Sequence, residues 1–420
     1  MRANSRLTYR RQAQRRHLPL LAALASAVAL TACVTDPASL TPHREFRHTV
    51  VRNGSQLNFD GCNVLDGTTV FSKRIDSLPA AASQAPVAAS ASEVTGPFSY
   101  RPADRGVWVG GNHYLFGIPF NRADGNTPPT VVDMEPGPDY TGLPDRDYDA
   151  SMTLSFPTMR ESQAFRDETL ASPMPNTLQT NDDHISTLVT ASGSKPCALE
   201  EAIRYLEFGH PTAERGARWA LPIKGQPTLP RAGGGITTGV DRAGFPMSPL
   251  SYHFDEMFEA DGAAWRLRTD LATGQPIDSL NHALIITMDP DGIDATQHLW
   301  PADGTDGAGD PGMLRMGSRL RLTAAKLAQL QASNTNPETM VLMRTLRNYG
   351  VILHDSGDAT QNTFGLSGSP DTRWSSAPGW PLDLPSGARI HLSDFELVDQ
   401  SCYRNPTATP SNYFVAANNC

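Results

Sequence analysis

Lysine is nearly missing from this chain of 420 residues, occurring only at positions 73, 195, 224 and 326. The cationic residues are therefore almost all arginine, which reflects composition rather than a function. No apolar run approaches the about 20 residues that a membrane-spanning helix needs. The longest candidate, Leu18 to Leu30, falls short of that. Several catalytic signatures are also missing. There is no Gly-x-Ser-x-Gly elbow, no His-Glu-x-x-His and no phosphate-cradling glycine loop, and Gly233-Gly-Gly235 lacks the flanking strand and helix of a nucleotide fingerprint. Serine esterases, the common zinc proteases, kinases and dehydrogenases are disfavoured on these grounds. No fixed-period repeat is visible, which argues against propellers and solenoids.

The chain begins with a basic head. Arg2, Arg6, Arg10, Arg11, Arg15 and Arg16 precede the Leu18–Leu30 run, with no acidic residue among residues 1–32. This order of basic, short apolar and small residues is that of a secretory signal. It ends in Leu30-Thr31-Ala32-Cys33, which resembles the lipobox of bacterial lipoproteins. The resemblance implies cleavage before Cys33, acylation of that cysteine and attachment to a lipid bilayer. Val34 stands where an aspartate would imply inner-membrane retention, so the outer membrane is the expected address in the bacterial envelope. Loss of residues 1–32 takes the formal charge from -9 to -15. So acidic a chain lacks the clustered basic face that nucleic acid requires.

With Cys33 lipidated, Cys62, Cys197, Cys402 and Cys420 remain. An even number in an oxidising compartment indicates two disulfides, with three pairings available. Cys402–Cys420 together with Cys62–Cys197 is the preferred set, because the first staples a Pro/Asn-rich tail. The wide spacing and absence of Cys-x-x-Cys disfavour a metal site.

The organisation expected is a tether over 33–45, a small N-terminal segment followed by a flexible Ala/Ser/Pro-rich linker within 46–96, a main domain over 97–400 and a stapled tail over 401–420. Strand-like runs recur between glycines and prolines at 48–51, 69–71, 107–109, 185–190, 283–288, 319–323, 351–354 and 395–398. Helical periodicity is confined to two stretches. Pro337 opens one over 338–349, with Leu342, Leu346 and Tyr349 on one face and Gly350 beyond its end. The other covers 323–331. Many strands with a few short helices predict a mainly β fold, an antiparallel β-sandwich or jelly roll.

Several phrases, in order along the chain, resemble those of a mostly uncharacterised family of secreted, β-rich bacterial and fungal proteins. They include Phe116-Gly-Ile-Pro-Phe120, Asn181-Asp-Asp-His184, Cys197-Ala-Leu-Glu-Glu201, Gly244-Phe-Pro-Met247, Asn281-His-Ala-Leu284, Leu299-Trp-Pro-Ala302, Met316-Gly-Ser-Arg-Leu-Arg321, Leu346-Arg-Asn-Tyr-Gly-Val-Ile352 and Phe395-Glu-Leu-Val-Asp399. The resemblance spans about residues 112–399. It implies one fold for that stretch and no particular reaction.

Asp182 and His184 sit at the mouth of the strand over 185–190, Glu200 and Glu201 follow after a turn, and His282 opens another strand. His354 and Asp355 close a third. A carboxylate beside an imidazole fixes its tautomer and suits general acid or base catalysis. Asp182, His184, Glu201 and His282 are the candidate catalytic set for a hydrolase or lyase acting on a carbohydrate polymer. Such side chains at strand ends also serve as turn caps. Trp108, Trp265, Trp300, Trp374 and Trp380 offer stacking surfaces for sugar rings or ordinary core packing. The alternative function is a surface lipoprotein that binds glycan or another envelope component without turnover. The sequence names no cofactor, although the carboxylates Asp289, Asp291 and Asp294, and then Asp303, Asp306 and Asp310, provide oxygens that a divalent cation such as calcium would take. The same residues in Gly-rich loops also make ordinary turns.

Overall fold

The computed structural model describes residues 49–53, 56–99, 106–109, 112–115, 120–123, 130–134, 151–154, 184–203, 212–213, 215–227, 240–333, 335–357, 364–368, 372–379, 384–385 and 388–420. Residues 1–48, on which the expected signal, Cys33 and the expected tether fall, lie outside them.

The chain opens with a meander of β1 (Val50–Asn53), β2 (Gln56–Phe59) and β3 (Cys62–Leu65). Alternation in β2 buries Leu57 and Phe59 and leaves their neighbours half-buried, as a strand with one face on a core requires. The run at Thr69–Phe71, expected as a strand, is instead a turn of 3-10 helix over Val70–Ser72, capped by the Thr69 hydroxyl. Cap chemistry overrides the β-branched pattern there.

A second correction concerns the Ala/Ser-rich segment expected as a flexible linker. Ala85–Glu93 form a helix, α1, lying on the body of the protein. The Ser90 hydroxyl donates to the Gly292 carbonyl at 2.7 Å and accepts the Leu314 N–H at 2.8 Å. A Cβ built on Gly292 would meet Val94 Cγ2 at 2.5 Å. Small side chains here allow close approach, and do not signal freedom of the backbone. Just before the helix, the Gln84 amide both donates to and accepts from the backbone of Leu397.

β4 (Phe98–Ser99) follows, then β5 (Phe120–Ala123), β6 (His184–Val189), β7 (Ala198–Ile203) and β8 (Arg215–Ala220). The last four make one sheet in the order β8-β7-β6-β5. Neighbours are antiparallel except β5 and β6, which run parallel.

β9 (Leu284–Met288), β10 (Arg319–Leu322), β11 (Val351–Ser356), β12 (Phe364–Leu366) and β13 (Phe395–Leu397) join β4 in a six-stranded sheet, ordered β13-β10-β11-β9-β12-β4. β9 and β11 are parallel, as are β12 and β4. The fold is mainly β, as predicted, with parallel pairs at β5–β6, β9–β11 and β12–β4 among otherwise antiparallel neighbours in these two sheets. The continuous apolar runs Leu284-Ile-Ile and Val351-Ile-Leu are fully buried, as parallel strands covered on both faces are.

Between β9 and β11 stand two helices. Ala324–Ala332 is capped by Thr323, and Pro337–Asn348 by Asn336, whose side chain accepts the Thr339 N–H at 2.7 Å. The second helix buries Leu342 and Leu346. Gly350 follows with φ +70°, where a Cβ would lie 2.3 Å from the Leu320 carbonyl oxygen, so the chain turns into β11 only with glycine.

Both preferred disulfides are formed, Cys62–Cys197 and Cys402–Cys420. The first ties β3 to the start of β7, and residues from Phe46 onward form one compact unit. The stapled tail also contributes to the core: Tyr403 and Phe414 are buried, and Phe414 packs on Phe71 and Trp219.

Candidate functional site

One segment, 240–258, connects buried polar groups from several elements among the described residues. Its first residues form a turn in which the Asp241 carboxylate accepts the N–H groups of Gly244 and Phe245 at 2.6 and 2.8 Å. Gly244 has φ +78°, the left-handed conformation that closes such a turn. The other oxygen of Asp241 bonds Nδ1 of His354 on β11 at 2.9 Å.

Next along the segment, the N–H groups of Met247 and Ser248 both donate to Glu201 on β7, each at 3.0 Å. Glu201 is opposite Ser186 in the β6–β7 register, and the Ser186 hydroxyl donates to it at 2.9 Å. The Trp219 indole N–H, from β8, donates at 2.9 Å as well. Glu201 is thus a fully buried carboxyl held by four neutral donors from three elements. Burial pushes it up to about 7, and the hydrogen bonds from Ser248, Ser186 and Trp219 limit that rise. Only the Ser186 hydroxyl is able to reverse its role and accept a proton from the carboxyl.

The segment then turns through His253, bonded to the Ser248 carbonyl at 2.6 Å, into a one-turn helix over Phe254–Met257. Asp255 receives a two-pronged bond from Arg373 at 2.7 and 2.8 Å. The guanidinium also lies 4.5 Å from the Phe254 ring centroid, in an aromatic cluster with Tyr252, Phe258 and Trp374. Glu256 bonds Nε2 of His282 at 2.9 Å, while Nδ1 of that ring faces the Ala283 carbonyl at 2.7 Å. Each ring nitrogen thus has a partner. Burial raises the Glu256 carboxyl, but the charge and hydrogen bond of His282 more than offset this and hold it below its ordinary value.

These contacts place the sequence candidates. Glu201 and His282 are both fully buried, each in its own set of bonds. Neither faces a cleft. His184 begins β6 opposite Ile203, and Asp182 lies outside the described residues. Glu200 is on β7 beside Glu201 and pairs with Arg218 at 3.5 Å. The Asp355 carboxylate accepts the Ser356 N–H, as a turn residue does. Trp374 is buried in the aromatic cluster.

The acidic loop after β9 makes turns. The Asp289 side chain accepts the Asp291 N–H. Asp294 accepts N–H groups from Thr296, Gln297 and Gly312, and the Thr296 hydroxyl at 2.8 Å. Asp306 accepts the Ser356 hydroxyl at 3.0 Å. Among the described residues, no three His, Cys, Asp or Glu side chains gather in a metal-ligating group.

An open concavity of about 270 Å³ lies elsewhere, between the 299–300 turn and the 397–404 stretch. Trp300, Asp399, Gln400, Ser401 and Arg404 line it together with Leu299. Trp300 is fixed in place by its indole N–H, which donates to the Tyr413 carbonyl at 3.2 Å, and by ring contacts with Tyr403 and Tyr413. Sequence reading singled out Trp300 but not its partners. It also missed Asp241, Glu256 and Arg373, although Asp241 three residues before Gly244 is a legible turn signal. No family model, curated protein or solved structure matches this chain.

Proposed function

We propose that the protein is a lipoprotein of the bacterial cell envelope, anchored to the outer membrane through acylated Cys33, that binds a carbohydrate polymer at the concavity around Trp300. The observation that carries this reading is the composition of that concavity. A fixed indole and an aliphatic wall stand beside a carboxylate, an amide, a hydroxyl and a guanidinium. A sugar ring presents an apolar face and a rim of hydroxyls, and this lining offers a partner for each. Binding is favoured over polymer cleavage by the predicted His/carboxylate set, because Glu201 and His282 have no access to a polymer.

The four- and six-stranded sheets, bridged by the 240–258 segment through Glu201 and His354, support a sandwich-like arrangement as the finer fold reading. Membership of the secreted β-rich family belongs to the same proposal.

Retardation in gels containing soluble envelope and plant polysaccharides tests the binding site. The wild type is expected to be retarded by at least one polymer, and Trp300→Ala and Arg404→Ala to migrate freely. Equal retardation of all three proteins overturns the assignment of the site. Anchoring is tested separately: Cys33→Ser is expected to leave the membrane fraction.

A further inference from the structure

The buried His354 has a second partner that the binding reading does not use. β11 carries a bulge at this residue: Ile286 of β9 faces Leu353, and Thr287 faces Asp355, so His354 is the extra residue. Bulges re-aim a side chain out of the ladder alternation. Here the ring lies between Asp241 and Ser367. Nδ1 bonds the Asp241 carboxylate at 2.9 Å, and Nε2 lies 3.5 Å from the Ser367 hydroxyl. Asp241 is itself held by the N–H groups of Gly244 and Phe245. The Ala243 N–H donates to the His354 carbonyl, tying the carboxylate's turn to the bulge. Ser367 follows β12 and is fixed through its backbone on both sides, to Ile285 and to Tyr252.

We propose that Ser367, His354 and Asp241 form a nucleophile, a base and an orienting carboxylate for hydrolysis of a small acyl ester. Such a constellation is recognised by geometry and roles, on whatever fold and in whatever chain order it occurs. The carboxylate fixes the proton on Nδ1 and leaves the Nε2 lone pair toward the serine. The Ser367–His354 separation is at the long end for this pair, as is common before substrate tightens it. In the first step Ser367 Oγ attacks the ester carbonyl carbon and its proton passes to Nε2. The C–O bond to the alcohol then breaks, and the alcohol leaves with that proton. Water attacks the acyl-serine, His354 again takes and returns the proton, and the carboxylic acid is released. Ester and water are consumed; acid and alcohol are formed. Ser367 is 5% exposed and His354 2%, so the proposal is confined to a small acyl group such as acetyl. This assignment is independent of the Trp300 concavity.

The test uses the full chain with p-nitrophenyl acetate, followed by mass spectrometry of the Ser367 peptide after a rapid acid quench. The wild type is expected to turn over and to carry one acetyl group on Ser367. Ser367→Ala is expected to lose about 10³-fold in kcat/KM and the adduct with it. Asp241→Asn is expected to lower kcat far more than it raises KM. Ser376→Ala, at an exposed serine outside the constellation, is expected to match the wild type. A folded wild type that neither turns over nor acquires an acetyl group on Ser367 overturns the proposal. So does Ser367→Ala hydrolysing as fast as the wild type.

Discussion

The 240–258 segment and the acidic loop after β9 use the same side chains in opposite ways. In the loop, Asp289 and Asp294 bond mostly backbone two or three residues away. In the segment, Asp241 reaches 113 residues to His354 and Asp255 reaches 118 residues to Arg373. A carboxylate that bonds its own turn shapes a few residues. One that bonds a distant donor joins elements that the backbone alone leaves apart, and losing that donor leaves a buried polar group without its partner. The lesson is that a buried carboxylate's role follows from the sequence distance of its partners.

Substitutions at the two regions should therefore differ sharply. The largest effect is expected from Glu201→Ala, which orphans four buried donors at once. At a cost of about 1–3 kcal/mol for each unsatisfied group, partly relieved by relaxation, a loss of about 4 kcal/mol in urea denaturation is expected. A loss below about 1 kcal/mol would mean that the sheet and the segment are held together by packing instead. Arg373→Ala removes the two-pronged bond to the buried Asp255 carboxylate, and about 3 kcal/mol should be lost by the same measurement.

Two buried carboxylates sharpen the comparison through pH. Glu201 has its folded value raised from 4.5 to about 7. Between those limits the folded state keeps a proton that the unfolded state has released, so this group's contribution falls as pH rises through that window. Glu256 is held low by His282, so its contribution is present above the ordinary carboxylate range and is lost as pH falls through its folded value. Glu201→Gln should flatten the decline in stability between pH 4.5 and about 7, an effect on the order of 3 kcal/mol across the window. An unchanged slope in denaturation series at stepped pH would remove Glu201 as its source. The smallest effect belongs to a local turn. Asp270 accepts only the N–H groups of Ala272 and Thr273, and Asp270→Ala should cost under about 1 kcal/mol.

The same distinction explains what the sequence disclosed. The helix over Pro337–Asn348 was legible because its determinants are local: proline at its first position, an apolar face over Leu342 and Leu346, and glycine just beyond its end. The disulfides were legible because four cysteines allow few pairings. The docking of α1 was not, since an Ala/Ser-rich composition describes a loose chain and a closely packed helix equally well. The bulge at His354 left no mark either: it exists only in the register between β9 and β11. Glu201 and His282 drew attention as polar residues near strand ends. What the sequence could not show was that their partners, Met247 with Ser248 and Glu256, arrive from the 240–258 segment and seal them inside.

The tail has a consequence for when this molecule becomes itself. Phe414 packs against Phe71, Trp219 and Phe245, and its backbone bonds Val70 and Lys224. Every one of these is made by the ribosome long before residue 414. A chain interrupted upstream of that residue keeps this part of its interior open, however complete its sheets. Closure there waits for residue 414, and until it arrives Phe71, Trp219 and Phe245 lack the ring that covers them.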